Sequence, residues 1–140
     1  MATGKTWTVE GAKLIFENFF TQTTVEDLEI FTFSNNYTPT VTCTGTDLTE
    51  ITDSGLVKKD MVAASWTVTI DGADIISTFN SGTGIVWDVT ADKNIYGIAI
   101  RGKTSAKIYY VKNVGLKELL VGNSFTLNPL QLKLTCKIDD

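Results

Sequence analysis

The last strand-like segment of the chain constrains the fold most, because its apolar and polar residues alternate without a break. Apolar side chains occupy every second position, at Leu130, Leu132, Leu134, Cys136 and Ile138, and the residues between them are polar. Successive side chains of a strand point to opposite faces, so this period of two predicts a β-strand with one buried face. Threonine, about one residue in six, fits the same half-buried surface. We therefore expect a mainly β protein.

Similar patterns elsewhere predict a hairpin and further strands. The clearest hairpin is SWTVTIDGADII, residues 65–76, in which Asp71 and Gly72 are expected to supply a type I′ turn. The other predicted strands are residues 27–33, 39–44, 84–90, 94–101 and 106–112. Turn signals recur between them, which favours an antiparallel β-sandwich or barrel-like fold. We expect a single β domain over residues 1–140.

One segment departs from the β pattern. Between Glu10 and Phe20, apolar residues recur at the spacing of an amphipathic helix, at Ala12, Ile15, Phe16, Phe19 and Phe20. We expect one short helix whose apolar stripe packs in the core. An edge strand is the alternative.

The octapeptide from Gly97 to Thr104 matches the phosphate-binding pattern GxxxxGK[ST]. A phosphate-binding loop follows a strand and opens a helix, whose free N–H groups face the anion. Here the preceding residues look extended, and residues 106–111 alternate with a period of two, so a strand is expected on both sides. We predict a β-hairpin with its loop at residues 102–104, and no bound nucleotide.

The composition excludes the commonest catalytic sites. The chain has no histidine, so Ser-His-Asp triads and Cys/His zinc sites are unavailable. The acids are scattered and mostly lie beside turn residues, as at residues 53–55 and 71–72. Cys43 and Cys136 are expected to be reduced and partly buried. The sequence predicts no enzyme and no catalytic, cofactor-binding or metal-binding residue.

Targeting signals are not apparent either. The longest apolar runs are well short of the roughly 20 residues that cross a bilayer. The N-terminal stretch MATGKTWTVEG has no apolar signal-peptide region. We therefore expect no membrane partner, no export and no glycan at Asn36.

Charge is unevenly distributed along the chain. Residues 1–92 carry thirteen acids and four bases, whereas residues 93–137 carry one acid and eight bases. Either these segments are neighbours that pair across a sheet, or they form opposite ends that favour head-to-tail association of identical subunits. The isoelectric point of about 4.8 and the absence of a recognition motif argue against sequence-specific nucleic-acid binding.

Residues 48–72, LTEITDSGLVKKDMVAASWTVTIDG, resemble a segment of the tail-tube proteins of long-tailed bacteriophages. The shared features are a TDSG-like turn, a short variable stretch, and SW followed by alternating residues that end in DG. The matching residues are Thr52, Asp53, Ser54, Gly55, Ser65, Trp66, Thr67, Thr69, Asp71 and Gly72. Tyr96-Gly97 is an approximate counterpart of the family's YxG-type strand. The C-terminal ELLVGNSFTLNPLQLKL departs from that family and is more similar to the last strands of jelly-roll virion proteins.

The resemblance implies a tail-tube or jelly-roll subunit in the virion, assembled in the bacterial host cytoplasm. Its partners would be copies of itself in rings or lattices and other virion proteins, and stacked rings would form a tube for DNA passage. One alternative is a capsid decoration or head-completion protein. A second alternative is a carbohydrate-binding β-sandwich that uses Trp7, Trp66 and Trp87 as stacking platforms, although Trp66 and Trp87 lie in alternating strands typical of a core.

Overall fold

The computed structural model describes residues 4–20, 26–62, 65–79, 84–128 and 130–135, and it is mainly β with one short helix. In chain order the elements are β1 (Gly4–Trp7), α1 (Val9–Phe20), β2 (Leu28–Phe33), a short 3-10 turn (Gly45–Asp47), β3 (Lys59–Met61), β4 (Trp66–Asp71), β5 (Asp74–Phe79), β6 (Ile85–Asp88), β7 (Lys93–Gly102), β8 (Ile108–Leu119), β9 (Ser124–Leu127) and β10 (Leu130–Thr135).

The described strands form three antiparallel sheets that pack as a β-sandwich or barrel-like fold, as the sequence predicts. A five-stranded sheet has the order β1-β8-β7-β2-β3, a three-stranded sheet has the order β10-β5-β4, and β6 pairs with β9. All three sheets contribute to one main core, whose buried members are Ile30, Ile51, Leu56, Met61, Phe79, Ile85, Trp87, Val89, Ile95, Ile98, Ile100, Tyr109, Tyr110, Phe125, Leu127, Leu130 and Leu132.

The opposite face of the five-stranded sheet is also buried. A second cluster lies there, formed by Phe31, Phe33, Cys43, Leu48, Ala99, Ile108 and Val111, with Tyr37 and Tyr96 packed against it. The loop that follows β2 therefore covers this face. Strands buried on both faces carry continuous apolar runs instead of alternation, which explains the run from Gly97 to Ile100 in β7.

The faces of β8 differ from those that simple alternation predicts. Ile108 and Val111 belong to the second cluster, whereas Tyr109 and Tyr110 both belong to the main core. The register of β7 and β8 shifts here, because Ile100 lies opposite Tyr110 while Arg101 lies opposite Ile108. A β-bulge of this kind gives one strand an extra residue and reverses the facing of those beyond it.

The predicted strand at residues 39–44 is wrong. This segment is a loop, held by the Cys43 amide, which donates to the carbonyl of Thr40 at 3.2 Å, and by a contact of 3.0 Å between the Tyr37 and Thr40 hydroxyls. Threonine hydroxyls offer the chain local bonds that compete with a strand ladder. Cys43 is unpaired and buried, and burial raises the pKa of its thiol. Cys136 and Ile138 lie outside the described residues.

The β4–β5 turn also differs in type. Asp71 pairs with Asp74, so the two loop residues are Gly72 and Ala73. Of these only Gly72 has a positive φ, 62°. This is the pattern of a type II′ turn, in which glycine takes the first central position; a type I′ turn needs positive φ at both.

The helix is confirmed and begins one residue earlier than expected, at Val9. Thr8 caps it, because its hydroxyl accepts a hydrogen bond from the Gly11 amide at 3.0 Å. Leu14 packs against the main core, whereas Ile15 is 45% exposed. Core packing of the predicted apolar stripe is therefore wrong for Ile15. The side chains of Ala12, Phe16, Phe19 and Phe20 lie outside the described structure, so the rest of the stripe stays a prediction.

We predict that Gly97→Ala destabilises the fold. A β-carbon at Gly97 would overlap the Lys112 carbonyl and the Phe33 ring, and forced overpacking costs about 1–3 kcal/mol. Urea unfolding should show that loss in the free energy of unfolding. Gly45→Ala is the control, since the nearest atom to its β-carbon would be 4.0 Å away. Equal stability of Gly97→Ala and the original chain would contradict the close approach of β2, β7 and β8.

Candidate functional site

The GKT loop connects two strands, β7 and β8, as the sequence predicts. Its backbone amides already bind a carboxylate of the same chain. The amides of Thr104 and Ser105 donate to Oε1 of Glu26 at 3.1 and 2.9 Å, and the Tyr109 hydroxyl donates to Oε2 at 3.1 Å. A β-carbon at Gly102 would overlap this carboxylate. Glu26 therefore occupies the position that an anion would take against the loop.

The electrostatics of the loop agree with this arrangement. Burial opposes ionisation of Glu26, but the hydrogen bonds from Ser105, Tyr109 and Thr104 outweigh it and lower its pKa. Burial and the nearby Glu26 raise the pKa of Tyr109, which stays a protonated donor. Nζ of Lys103 lies 3.1 Å from a carboxylate oxygen of Asp60. The lysine of the motif is thus engaged in an ion pair on the surface.

We predict that the chain does not bind nucleotides at this loop. Calorimetric titration with Mg-ATP and Mg-GTP should give no saturable heat, because Glu26 competes for the loop amides. Micromolar affinity that is abolished in Lys103→Ala would overturn this interpretation.

A second prediction concerns the pH dependence of stability. Because the folded pKa of Glu26 is lowered, its contribution is complete above its ordinary value of 4.5 and is lost as the pH falls through the folded pKa. Glu26→Gln should lower the free energy of unfolding by about 1–2 kcal/mol at pH 7 and by less at pH 3. Urea unfolding at both pH values measures this difference. The exposed Glu118→Gln should change neither value, and an unchanged Glu26→Gln would contradict the carboxylate–loop contact.

The tryptophans do not form an exposed platform for sugars. Trp87 is fully buried, and its Nε1 donates to the carbonyl of Val57 at 2.8 Å. Trp66 is half-buried with its ring centroid 5.1 Å from that of Phe79, and Trp7 is half-buried against Tyr110 at 5.8 Å. The core placement expected for Trp66 and Trp87 is confirmed.

Ion pairs join the acidic and basic segments of the chain. They link Lys93 to Asp53, Lys103 to Asp60, Lys133 to Asp74, and Arg101 to Glu29 and Glu50. Each pair connects a base after residue 92 to an acid before it. Of the two alternatives left open by the sequence, pairing between neighbouring segments is the one that the structure supports.

Arg101 is the centre of a partly buried charge cluster that sequence spacing does not indicate. Its Nε donates to Glu29 at 2.7 Å, its two terminal nitrogens donate to Glu50 at 2.5 and 3.1 Å, and its guanidinium lies over the Phe31 ring. Burial opposes ionisation of Glu29, but Arg101 and Lys58 outweigh it and lower its pKa. This paired arrangement ties together β2, β7 and the loop that follows β2.

The most open apolar surface in the described structure lies on β4. Trp66, Val68 and Ile70 share one face, and Val68 and Ile70 are 64% and 76% exposed. Of these three side chains, only Trp66 packs against the main core. The rest of β4 therefore extends beyond the core. Among the described strands, β4 pairs with β5 alone, so its other edge is open within the described structure. Natural edge strands are commonly protected by lysine, proline or a bulge; WTVTID has neither residue, and its pairing with β5 is regular.

Two further features bear on the type of site. Within the described ranges, no three acids or cysteines are grouped so that they could hold a metal ion. The helix in the described part of the chain is not long and apolar enough to cross a membrane.

The fold and its surfaces define an antiparallel β-sandwich or barrel-like protein. Comparison of the chain with protein-family models, curated proteins and solved structures finds no match.

Proposed function

We propose that this protein is a non-enzymatic structural subunit that associates with copies of itself. The observation that carries the proposal is the open β4 edge with the exposed Val68 and Ile70 beside it. An unpaired strand edge presents a row of free N–H and C=O groups that another strand can bind. The flanking apolar side chains add burial once the edge is covered.

The specific assembly that we propose is the tail tube of a long-tailed bacteriophage, built from stacked rings through which DNA passes. The sequence resemblance supports this choice, because its matching positions include Trp66, Thr67 and Thr69 of β4. A ring requires head-to-tail contacts, in which two different surfaces of the subunit meet. In our proposal β4 of one copy pairs with a different edge of the next copy.

The partner edge that we favour is β10, at the other side of the same three-stranded sheet. Pairing of β4 with β10 continues the sheet from copy to copy. It also places the exposed face of Val68 and Ile70 beside the apolar face of Leu130 and Leu132. Heterologous pairing of this kind closes into a ring when the rotation between neighbours allows it.

Apolar contacts, not opposed charge, dominate this interface. Several of the charges that could have formed two opposite ends are paired within the chain, as at Lys93–Asp53 and Lys103–Asp60. Salt screens ion pairs but does not weaken apolar burial. Association should therefore persist or strengthen as the salt concentration rises.

We predict that Val68→Lys with Ile70→Lys weakens self-association more than tenfold, because burying each apolar side chain contributes about 1.5–3 kcal/mol. The matched control is Thr67→Lys with Thr69→Lys, which adds the same charge to the opposite face of the same strand. Sedimentation velocity and light scattering over a concentration and salt series measure the association. Negative-stain electron microscopy shows whether rings or tubes form.

Each outcome of this experiment has a defined meaning. Rings or tubes that the Val68/Ile70 variant loses and the control retains would support the proposal. Closed dimers alone would overturn the tube, and a monomer at every concentration would overturn self-assembly altogether. A monomer would favour the capsid decoration or head-completion alternative, in which the subunit attaches to a lattice made by another protein.

A further inference from the structure

A basic cleft of about 400 Å³ is lined by residues of β1, β8, β9 and β10, and no residue of β4 is among them. Lysines from two neighbouring strands line it: Lys5 on β1, and Lys112 and Lys117 on β8. Phe125 and Leu130, both buried in the main core, lie at its apolar side. No acidic residue is among the described residues that line this cleft.

Two of the lysines face each other directly. Lys5 and Lys112 are partners in the antiparallel register of β1 and β8, so their side chains leave the sheet on the same face. Like charges at directly opposite positions destabilise a sheet. β8 then continues through an irregular stretch that includes Gly115, with φ of 79°, to Lys117. Three positive charges are therefore concentrated on one cleft.

In the described structure, these three lysines lack the carboxylate partner that several other bases have. In the described part of the chain, no acid lies within ion-pair distance of Lys5, Lys112 or Lys117, whereas ion pairs form at Lys58, Lys93, Arg101, Lys103 and Lys133. The cleft thus holds a cluster of like charge that no acid of the described residues neutralises.

We propose that this cleft binds a small oxyanion with two or more negative charges, of the phosphate class. Three ammonium groups match a multivalent anion, and charge-assisted hydrogen bonds are the stronger kind. Thr126, Asn128 and Gln131 line the same cleft and offer neutral hydrogen-bonding groups. A volume of about 400 Å³ lies in the range of small-molecule sites and fits pyrophosphate or a phosphate monoester. This proposal rests on the lysines of β1 and β8 and not on the proposed assembly, although Leu130 and Gln131 of the lining lie on β10.

Titration calorimetry with pyrophosphate tests the site, at constant ionic strength set with sodium chloride. We expect saturable binding, and at least a tenfold loss of affinity in Lys5→Gln with Lys112→Gln, because each lysine removed loses a charge-assisted bond. Lys107→Gln is the control, since it removes an exposed lysine that does not line the cleft. Its affinity should stay within about twofold of the original chain.

Thermal unfolding gives a second readout that shows whether the variants fold. Without anion, Lys5→Gln with Lys112→Gln should unfold at an equal or higher temperature than the original chain, because the like-charge contact is gone. Added pyrophosphate should raise the unfolding temperature of the original chain and of Lys107→Gln, but much less that of the double variant.

Comparison of probes identifies the ligand class. Adenosine monophosphate that binds as tightly as pyrophosphate, or more tightly, would assign the site to phosphate esters, and weaker binding would assign it to free pyrophosphate. Affinity for acetate equal to that for pyrophosphate, no saturable binding of either phosphate probe, or equal loss of affinity in the Lys107→Gln control would overturn the proposal. Retention of duplex DNA without binding of small phosphates would also overturn it.

Discussion

Burial of both faces of β2, β7 and β8 is the constraint on which the rest of the structure depends. One face forms the main core with the smaller sheets, and the other requires the loop after β2 to supply Cys43 and Leu48. The Arg101 cluster fastens that loop, because Arg101 on β7 binds Glu50 in the loop and Glu29 on β2. Charged groups are tolerated at this depth because they are paired and hydrogen-bonded.

The two basic features of the chain have opposite environments. Lys103 belongs to a sequence motif associated with phosphate binding, yet the loop amides bind Glu26 and the lysine pairs with Asp60. Lys5 and Lys112 belong to no motif, yet they face each other on one cleft in which no described lining residue is an acid. Whether a loop or cleft can bind an anion depends on which protein groups already contact it. A sequence motif does not show which groups those are.

The β4–β5 hairpin carries exposed apolar side chains that add little to the stability of the subunit but are available for contact with a partner. Val68 and Ile70 contribute little to the core, since more than half of each side chain is exposed. An open apolar edge is a risk for aggregation unless a defined partner covers it. Its presence within residues 48–72, on which the proposed tail-tube assembly is based, is therefore the feature that unites fold and proposed function. The internal ion pairs make charge an unsuitable main driving force for that contact.

Local pattern alone was enough to predict the mainly β class, the helix that ends at Phe20, the strand over residues 94–101 and the hairpin around the GKT loop, because period and turn chemistry are encoded by near neighbours. The same reasoning was wrong for residues 39–44, where threonine hydroxyls replace a ladder. Only the tertiary structure decided which strands are buried on both faces, which acids neutralise Arg101 and Lys103, and which lysines share a cleft. Those relations join residues such as Glu26 and Ser105, or Lys5 and Lys112. Their distance in sequence is large, so no local period carries a signal of their contact.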